Sequence, residues 1–322
     1  MARPLRSALL AFGWIVLAGH AGLACAQLAR IGVLSPFAGP DSGFFETLRT
    51  RLQELGYTEG RNAAYIYRTA EDYDRLARHA AEMAQLKVQV IVTAGAQGVR
   101  AAKSATDTIP IVMANVGDAV AQGFVANLAR PGGNVTGLTS LNTELSAKRV
   151  DLLLEALPGV TRVVALREAV GDSSPVRATE AAARARGLRV DVMQVREADE
   201  LPSAMAAAAR PGTALAVIPG PLFASHLRRI VELAEINHLP AIYPDSRYTQ
   251  AGGLMSYGPN VTELYRQAAD YVDRILKGAQ PGMLPVGQPI NFELAVNQRT
   301  VRQLGITLNP EVSLRADIVV RE

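Results

Sequence analysis

The chain has 322 residues, 49% of them hydrophobic, with 33 lysines and arginines against 30 acids and a formal net charge of +3. The arginines are scattered among acids, with no basic arm and no zinc-finger spacing, which argues against a nucleic-acid partner. The single cysteine, Cys25, excludes an internal disulfide, so stability has to come from burial of apolar surface.

The first segment points to export. Met1 to Ser7 carries Arg3 and Arg6 and no acid, an apolar run extends from Ala8 through Leu17 to Gly19, and small residues lead to Ala26. A basic start, a short apolar middle and a small-residue exit form a secretory signal, and the run is shorter than the ~20 residues of a membrane span. Residues 1–26 are therefore expected to be a signal peptide and the mature protein periplasmic. Two processing routes fit: cleavage at Ala24-Cys25-Ala26, or lipidation of Cys25. Cleavage is favoured, because Gly22-Leu23-Ala24 places its large aliphatic residue one position later than lipoprotein signals usually do. Cleavage removes Cys25 and the only tryptophan, Trp14, and lowers the charge from +3 to +1 as Arg3 and Arg6 leave. About 296 residues remain, enough for two domains of ordinary size.

From there strands and helices alternate. Arg30–Ser35 reads as a strand, Phe44–Leu55 as a helix closed by Gly56, Ala63–Arg68 as a strand and Tyr73–Leu86 as an amphipathic helix. Val88–Thr93 reads as a buried strand, Gly95–Ala105 as a helix and Ile109–Met113 as a strand opened by Pro110. The second half gives strands at Arg162–Leu166, Leu188–Val195, Ala214–Ile218 and Pro240–Tyr243. Its helices are an alanine-rich one ending at Gly187, one over Ala224–Ile236 and one over Val261–Lys277, with Ala204–Arg210 helical or a turn. Strands separated by helices of this length imply βαβ units and parallel sheets.

The halves also correspond. VIVTAG, a helix, TIPIVMA and PGGNVTGL in the first are matched in order by AVIPG, a helix, HLPAIYP and AGGLMSYG in the second. Two similarly built α/β lobes explain the match. The expected division is a first lobe at 27–140 completed by about 260–285, and a second at 141–259 completed by about 286–322.

In open parallel sheets ligands sit at the carboxyl ends of the strands, against the helix N-termini that follow. That rule nominates Ser35 and Phe37 after the first strand. It also nominates Thr93, Gly95, Ala96 and Gln97, where small residues let a ligand approach and free N–H groups suit a carboxylate; a capped turn is the competing reading. Asp118 either pairs with a ligand ammonium or forms a turn. Thr139 and Ser140 lie near the first expected crossover. Gly220, Asp245 and Tyr257 occupy the equivalent places in the second half, Tyr257 either stacking on a flat ligand or packing the hinge. Glu71, Asp72 and Asp74 complement a helix dipole, and Arg228 and Arg229 belong on a solvated face.

IPIVMANVGDAVAQGFVANLARPGGNVTGLTS, LPAIYPDSRYTQAGGLMSYGPN and LPVGQPINFELAVNQRTVRQLGITL together resemble the ABC-transporter substrate-binding family that includes tryptophan- and tyrosine-type binding proteins. ELGYTEGRN and LARHAAEMAQLKVQVIVTAG fit as well, so the resemblance spans nearly the whole mature chain. It implies a type I periplasmic-binding fold: two Rossmann-like lobes with parallel sheets, joined by a multi-strand hinge and closing around a small ligand, best taken as an aromatic or other amino acid. It also implies an ABC permease as membrane partner, a monomer, no cofactor and no metal. Onto this sequence it carries Ser35, Thr93, Gly95, Asp118 and Tyr257 as contacts by position. The loop REAVGDSSP after Leu166 departs from the asparagine- and proline-containing turn usual in relatives. The chain carries no H-E-x-x-H, Walker A, G-x-S-x-G or G-x-G-x-x-G motif, so no enzyme is expected. A sensor that shows its closed form to a membrane receptor is the alternative to an importer component.

Overall fold

The computed structural model describes residues 28–36, 43–70 and 72–321. Residues 1–27, including the expected signal peptide, and Phe37 and Glu71 lie outside the described residues.

The first sheet is built from β1 (Ala29–Pro36), β2 (Ala63–Ala70), β3 (Val90–Thr93), β4 (Ile111–Val116) and β5 (Val135–Thr139). All pairs are parallel, in the order β2-β1-β3-β4-β5. β3 is buried along its whole length, as a continuous apolar run with helices on both sides requires. On one face pack α2 (Tyr73–Gln85) and α3 (Gly95–Ala105), through Leu76, Ala80, Met83, Val99 and Ala102. Asp72 caps α2 by accepting from the Arg75 N–H at 2.6 Å. The other face is covered by α1 (Phe44–Glu54) and, from far along the chain, α10 (Val261–Leu276). Phe44, Leu48 and Leu52 meet Leu264, Ala268 and Val272 there.

The second sheet has β6 (Arg162–Glu168), β7 (Arg189–Val195), β8 (Thr213–Val217), β9 (Ala241–Tyr243), β10 (Met255–Pro259), β11 (Phe292–Asn297) and β12 (Ile318–Val320). Their order is β12-β11-β10-β9-β8-β6-β7, parallel except where β10 meets β11. One face carries α4 (Asn142–Ala156), α5 (Ser174–Ala185), α11 (Gln298–Gln303) and α12 (Pro310–Leu314) over Val150, Leu153, Ala183 and Val312. The other carries α6 (Leu201–Ala208), α7 (Pro221–Ser225), α8 (Leu227–Ile236) and α9 (Ser246–Gln250) over Leu201, Phe223, Ile230 and Tyr248. This is the two-lobed, parallel-dominated α/β architecture expected from the alternation of elements.

Three crossovers join the lobes: after β5, between β10 and α10, and in the segment before β11. They are held by long-range bonds. Thr136 Oγ1 donates to the Leu284 carbonyl at 2.7 Å, the Gly287 N–H donates to the Gly137 carbonyl at 2.8 Å, and Tyr271 donates to the Pro285 carbonyl at 2.7 Å. Leu141, on the first crossover, sits at φ 53, a left-handed conformation uncommon for a leucine.

Local reading missed some elements. α4 gave no clean stripe because it is buried on more than one side, Arg149 included among its buried residues. The expected helix over Ala224–Ile236 is two helices, α7 and α8, broken at His226. β4 begins two residues later than expected and runs on to Val116, and β12 and the short α9, α11 and α12 were not read at all.

Candidate functional site between the lobes

The carboxyl ends of both sheets face one another across a cavity of about 130 Å³. Lobe 1 supplies Ser35, Phe44, the Ala94–Gln97 turn at the start of α3, Asn115, Gly117 and Tyr265; lobe 2 supplies Arg167, Glu168, Val170–Asp172, Ile218–Pro221, Asp245, Arg247 and Tyr248. Asn142, just past the first crossover, closes the hinge side. The lobes touch at the mouth: Gln97 Nε2 donates to the Val170 carbonyl at 3.3 Å, and a β-carbon on Gly95 would lie 2.9 Å from Pro221 Cγ. The cleft is closed.

The expected contacts divide. Ser35, Gly95, Ala96, Gln97, Gly220 and Asp245 line the cavity. Four others do not. Thr93 is fully buried, its Oγ1 against the first turn of α3, where a β-carbon on Gly98 would lie 1.9 Å away. Asp118 is exposed and accepts from the Val120 and Ala121 N–H groups at 3.0 and 2.9 Å, which makes it a turn former. Thr139 is tied to the crossover by its N–H, which donates to the Gly287 carbonyl at 2.9 Å. Tyr257 packs in the second lobe near Phe292, ring centroids 6.2 Å apart, and its carbonyl accepts from Arg149 Nε at 2.7 Å.

The residues that sequence reading missed are instructive. Glu168 ends β6, where the strand-end rule could have found it. Tyr265 sits on the buried face of α10, read as core, and is both core and cavity wall. Phe44 packs against it at a tilt, with ring centroids 4.9 Å apart, while Tyr243 and Tyr248 stack at 5.1 Å in the other lobe. The cavity therefore has an aromatic surface on each side.

Charge in the cavity is mostly internally matched. Arg247 donates from Nε to Asp245 Oδ1 at 2.8 Å and from Nη2 to Oδ2 at 3.0 Å, a bidentate pair. Burial works against the Arg247 charge, yet the Asp245 carboxylate holds the guanidinium above its ordinary range. Behind this pair lies Arg149, whose Nη2 donates to the Pro244 carbonyl at 3.1 Å. Burial pulls its pKa down to about 10, against the pull of Asp245. Burial also raises the Tyr265 phenol, against the Arg247 charge and side-chain hydrogen bonds with Asn115 and Arg247. Glu168 Oε1 accepts from the Phe223 N–H at 3.2 Å. No group of three or more His, Cys, Asp or Glu residues able to hold a metal occurs among the described residues, and none of their helices is long and apolar enough to cross a membrane.

A cleft between two parallel-dominated α/β sheets has the form of a binding site. Residues 40–320 match the sequence model of the family described as ABC transporter substrate binding protein. The chain belongs to that family. Members bind a solute and are not enzymes. A curated relative, the tyrosine-binding protein of Clostridioides difficile, is 24% identical over 256 residues, which cover 79% of this chain and 74% of the relative. Among solved structures, a conserved domain protein from Vibrio cholerae is similar at 28% identity and a TM-score of 0.83, over 91% of this chain and all of that one. The ABC domain from Streptococcus pneumoniae in complex with L-Trp is similar at 25% identity and a TM-score of 0.83, with the same coverage. These neighbours carry the type I periplasmic-binding fold.

For a substrate-binding protein, the bidentate pair stiffens one wall of the site. Asp245 also caps α9, accepting from the Arg247 N–H at 3.2 Å. Asp245→Asn keeps the cap and removes the charge, and it is expected to lower stability by about 1–2 kcal/mol. The range sits below that of a fully buried pair because the Arg247 side chain is 19% exposed. Urea titration of both proteins checks this, and equal midpoints would show that the pair contributes nothing net.

Proposed function

We propose that this protein is the periplasmic solute-binding component of an ABC importer and captures an aromatic amino acid in the interlobe cavity. The observation that carries the ligand class is the combination of aromatic walls (Phe44 and Tyr265 opposite Tyr248) with hydrogen-bonding groups suited to a zwitterion. The free N–H groups that open α3 at Gly95, Ala96 and Gln97, with Ser35 beside them, suit a carboxylate. The Glu168 carboxylate across the cleft suits an ammonium. The relatives named for tyrosine and crystallised with L-Trp support the same class.

In this reading the lobes are residues 27–140 with 260–285, and 141–259 with 286–322. The packing of α10 on the first sheet supports this division. Ligand contacts to both lobes favour the closed form, which then docks on a permease.

The test is a thermal-shift series on mature protein that has been unfolded and refolded to strip any retained ligand. At ~100 times the dissociation constant an aromatic amino acid should add about 2.7 kcal/mol. That corresponds to a rise of roughly 5 °C in midpoint for a chain of this size. A flat response to aromatic amino acids, with a rise for another solute, would replace the ligand class.

A further inference from the structure

Arg167 is the last residue but one of β6 and lines the lobe 2 wall of the cavity, partly buried. Strand alternation puts it on the sheet face of Val163 and Ala165, opposite to Glu168. Its Nε donates to the Glu168 carbonyl at 2.7 Å. That carbonyl stands at the carboxyl end of the strand, so the bond turns the guanidinium toward the end of the sheet on which the cavity lies.

The other charged groups of the wall have bonds of their own. Arg247 is held by Asp245, Glu168 Oε1 accepts from the Phe223 N–H, and Asp172 Oδ1 accepts from the Ser174 N–H at 2.8 Å. Arg167 has no carboxylate partner among the described residues, and its η nitrogens donate to none of them. A guanidinium stays charged and presents a planar fork that fits a carboxylate with two parallel bonds. In a closed cleft of about 130 Å³ it is partly withdrawn from water, where a matching anion is held more strongly than at an open surface. The N–H groups that open α3 line the same cavity from lobe 1.

We propose that Arg167 binds the ligand carboxylate from lobe 2 while the N–H groups of Gly95, Ala96 and Gln97 meet it from lobe 1. This rests on the amino-acid reading given above and adds to it a specificity-determining residue. A carboxylate held from both lobes makes all its bonds only when the cleft is closed, so the acid itself favours closure. The site then rejects analogues in which a neutral amide replaces the carboxylate, because they leave the Arg167 charge unmatched inside the cleft.

The experiment is calorimetric titration of refolded mature protein with L-tryptophan, L-tyrosine and their primary amides, repeated on Arg167→Gln and Arg167→Lys. At about pH 6 the amino groups of all four ligands are protonated, so each acid differs from its amide at the carboxyl end alone. The wild-type protein is expected to bind the better acid at least about 100-fold more tightly than its amide. In Arg167→Gln the acid should weaken about 10- to 100-fold while the amide stays within about threefold, as direct coupling between side chain and carboxylate requires. Arg167→Lys keeps the charge without the fork and should fall between the two, and it reads the same ratio if Arg167→Gln does not fold. An equal change for acid and amide, or no change for either, overturns the proposal, because a residue that only shapes the wall moves both ligands alike. So does a wild-type protein that binds the amide as tightly as the acid. Binding of neither acid to the wild-type protein, with another solute bound, overturns the amino-acid reading itself and this proposal with it.

Discussion

Gly95→Ala is expected to weaken ligand binding about 100-fold while the two lobes stay folded. Gly95 opens α3 at φ +74, and a β-carbon there would lie 2.9 Å from Pro221 Cγ in the opposite lobe. The proline ring cannot swing away as a flexible side chain would, so the added methyl acts as a wedge between the lobes. The open form carries only the local cost of a left-handed alanine, of order 1 kcal/mol. The closed form bears the clash as well. A differential of about 2.7 kcal/mol between the two states lowers apparent affinity by about two orders of magnitude. Calorimetry gives the affinity, and small-angle scattering with saturating ligand reports whether the lobes still approach. The control is the double variant Gly95→Ala with Pro221→Ala, which removes the opposing ring carbon and should recover most of the loss. Absence of recovery would place the effect in the α3 turn and remove the wedge from the account.

Gly137→Ala is expected to cost at least about 4 kcal/mol of stability. Gly137 lies in β5 at φ +126, a region open to glycine alone, and a β-carbon would sit 2.2 Å from the Met113 carbonyl oxygen and 2.5 Å from its nitrogen. Both obstacles are backbone of the neighbouring strand. Retreat is blocked on the other side, because the Gly137 carbonyl accepts from the Gly287 N–H on the third crossover. The substitution therefore parts β4 from β5 or tears β5 from the hinge. Urea denaturation against Gly133→Ala, whose β-carbon would meet nothing within 4 Å, separates this from the general effect of losing a glycine. Similar midpoints for the two variants would mean that the strands can separate at little cost.

The two cases also show what reading the chain could and could not reach. The glycines of PGGNVTG and TAG are visible as turn and close-approach signals, but the atoms they make room for belong to Met113 and Pro221. The second of these is 126 positions away. The strand-end rule placed Ser35, Gly95–Gln97, Gly220 and Asp245 on the cavity, because strand ends and the turns after them are local features. Asp118 was misplaced, because its carboxylate is taken by its own turn, and so was Thr139, nominated for its place near the expected crossover, because its backbone is taken by that crossover. A residue's sequence position does not say which competitor captures its polar atoms.

The amino-acid sequence by itself determined the alternation of strands and helices, hence parallel sheets in two similar halves, and the family. The alternation and the sheets follow from apolar periodicity and from short-range turn chemistry, which act over a few residues; the family follows from the resemblance of whole sequence segments. Only the tertiary structure decided that Tyr265 is at once core and cavity wall, and that Arg149 is buried behind Asp245. The physical reason is that burial and hydrogen-bond satisfaction depend on what arrives from elsewhere in the chain. In this protein both walls of the site are assembled from segments far apart in sequence.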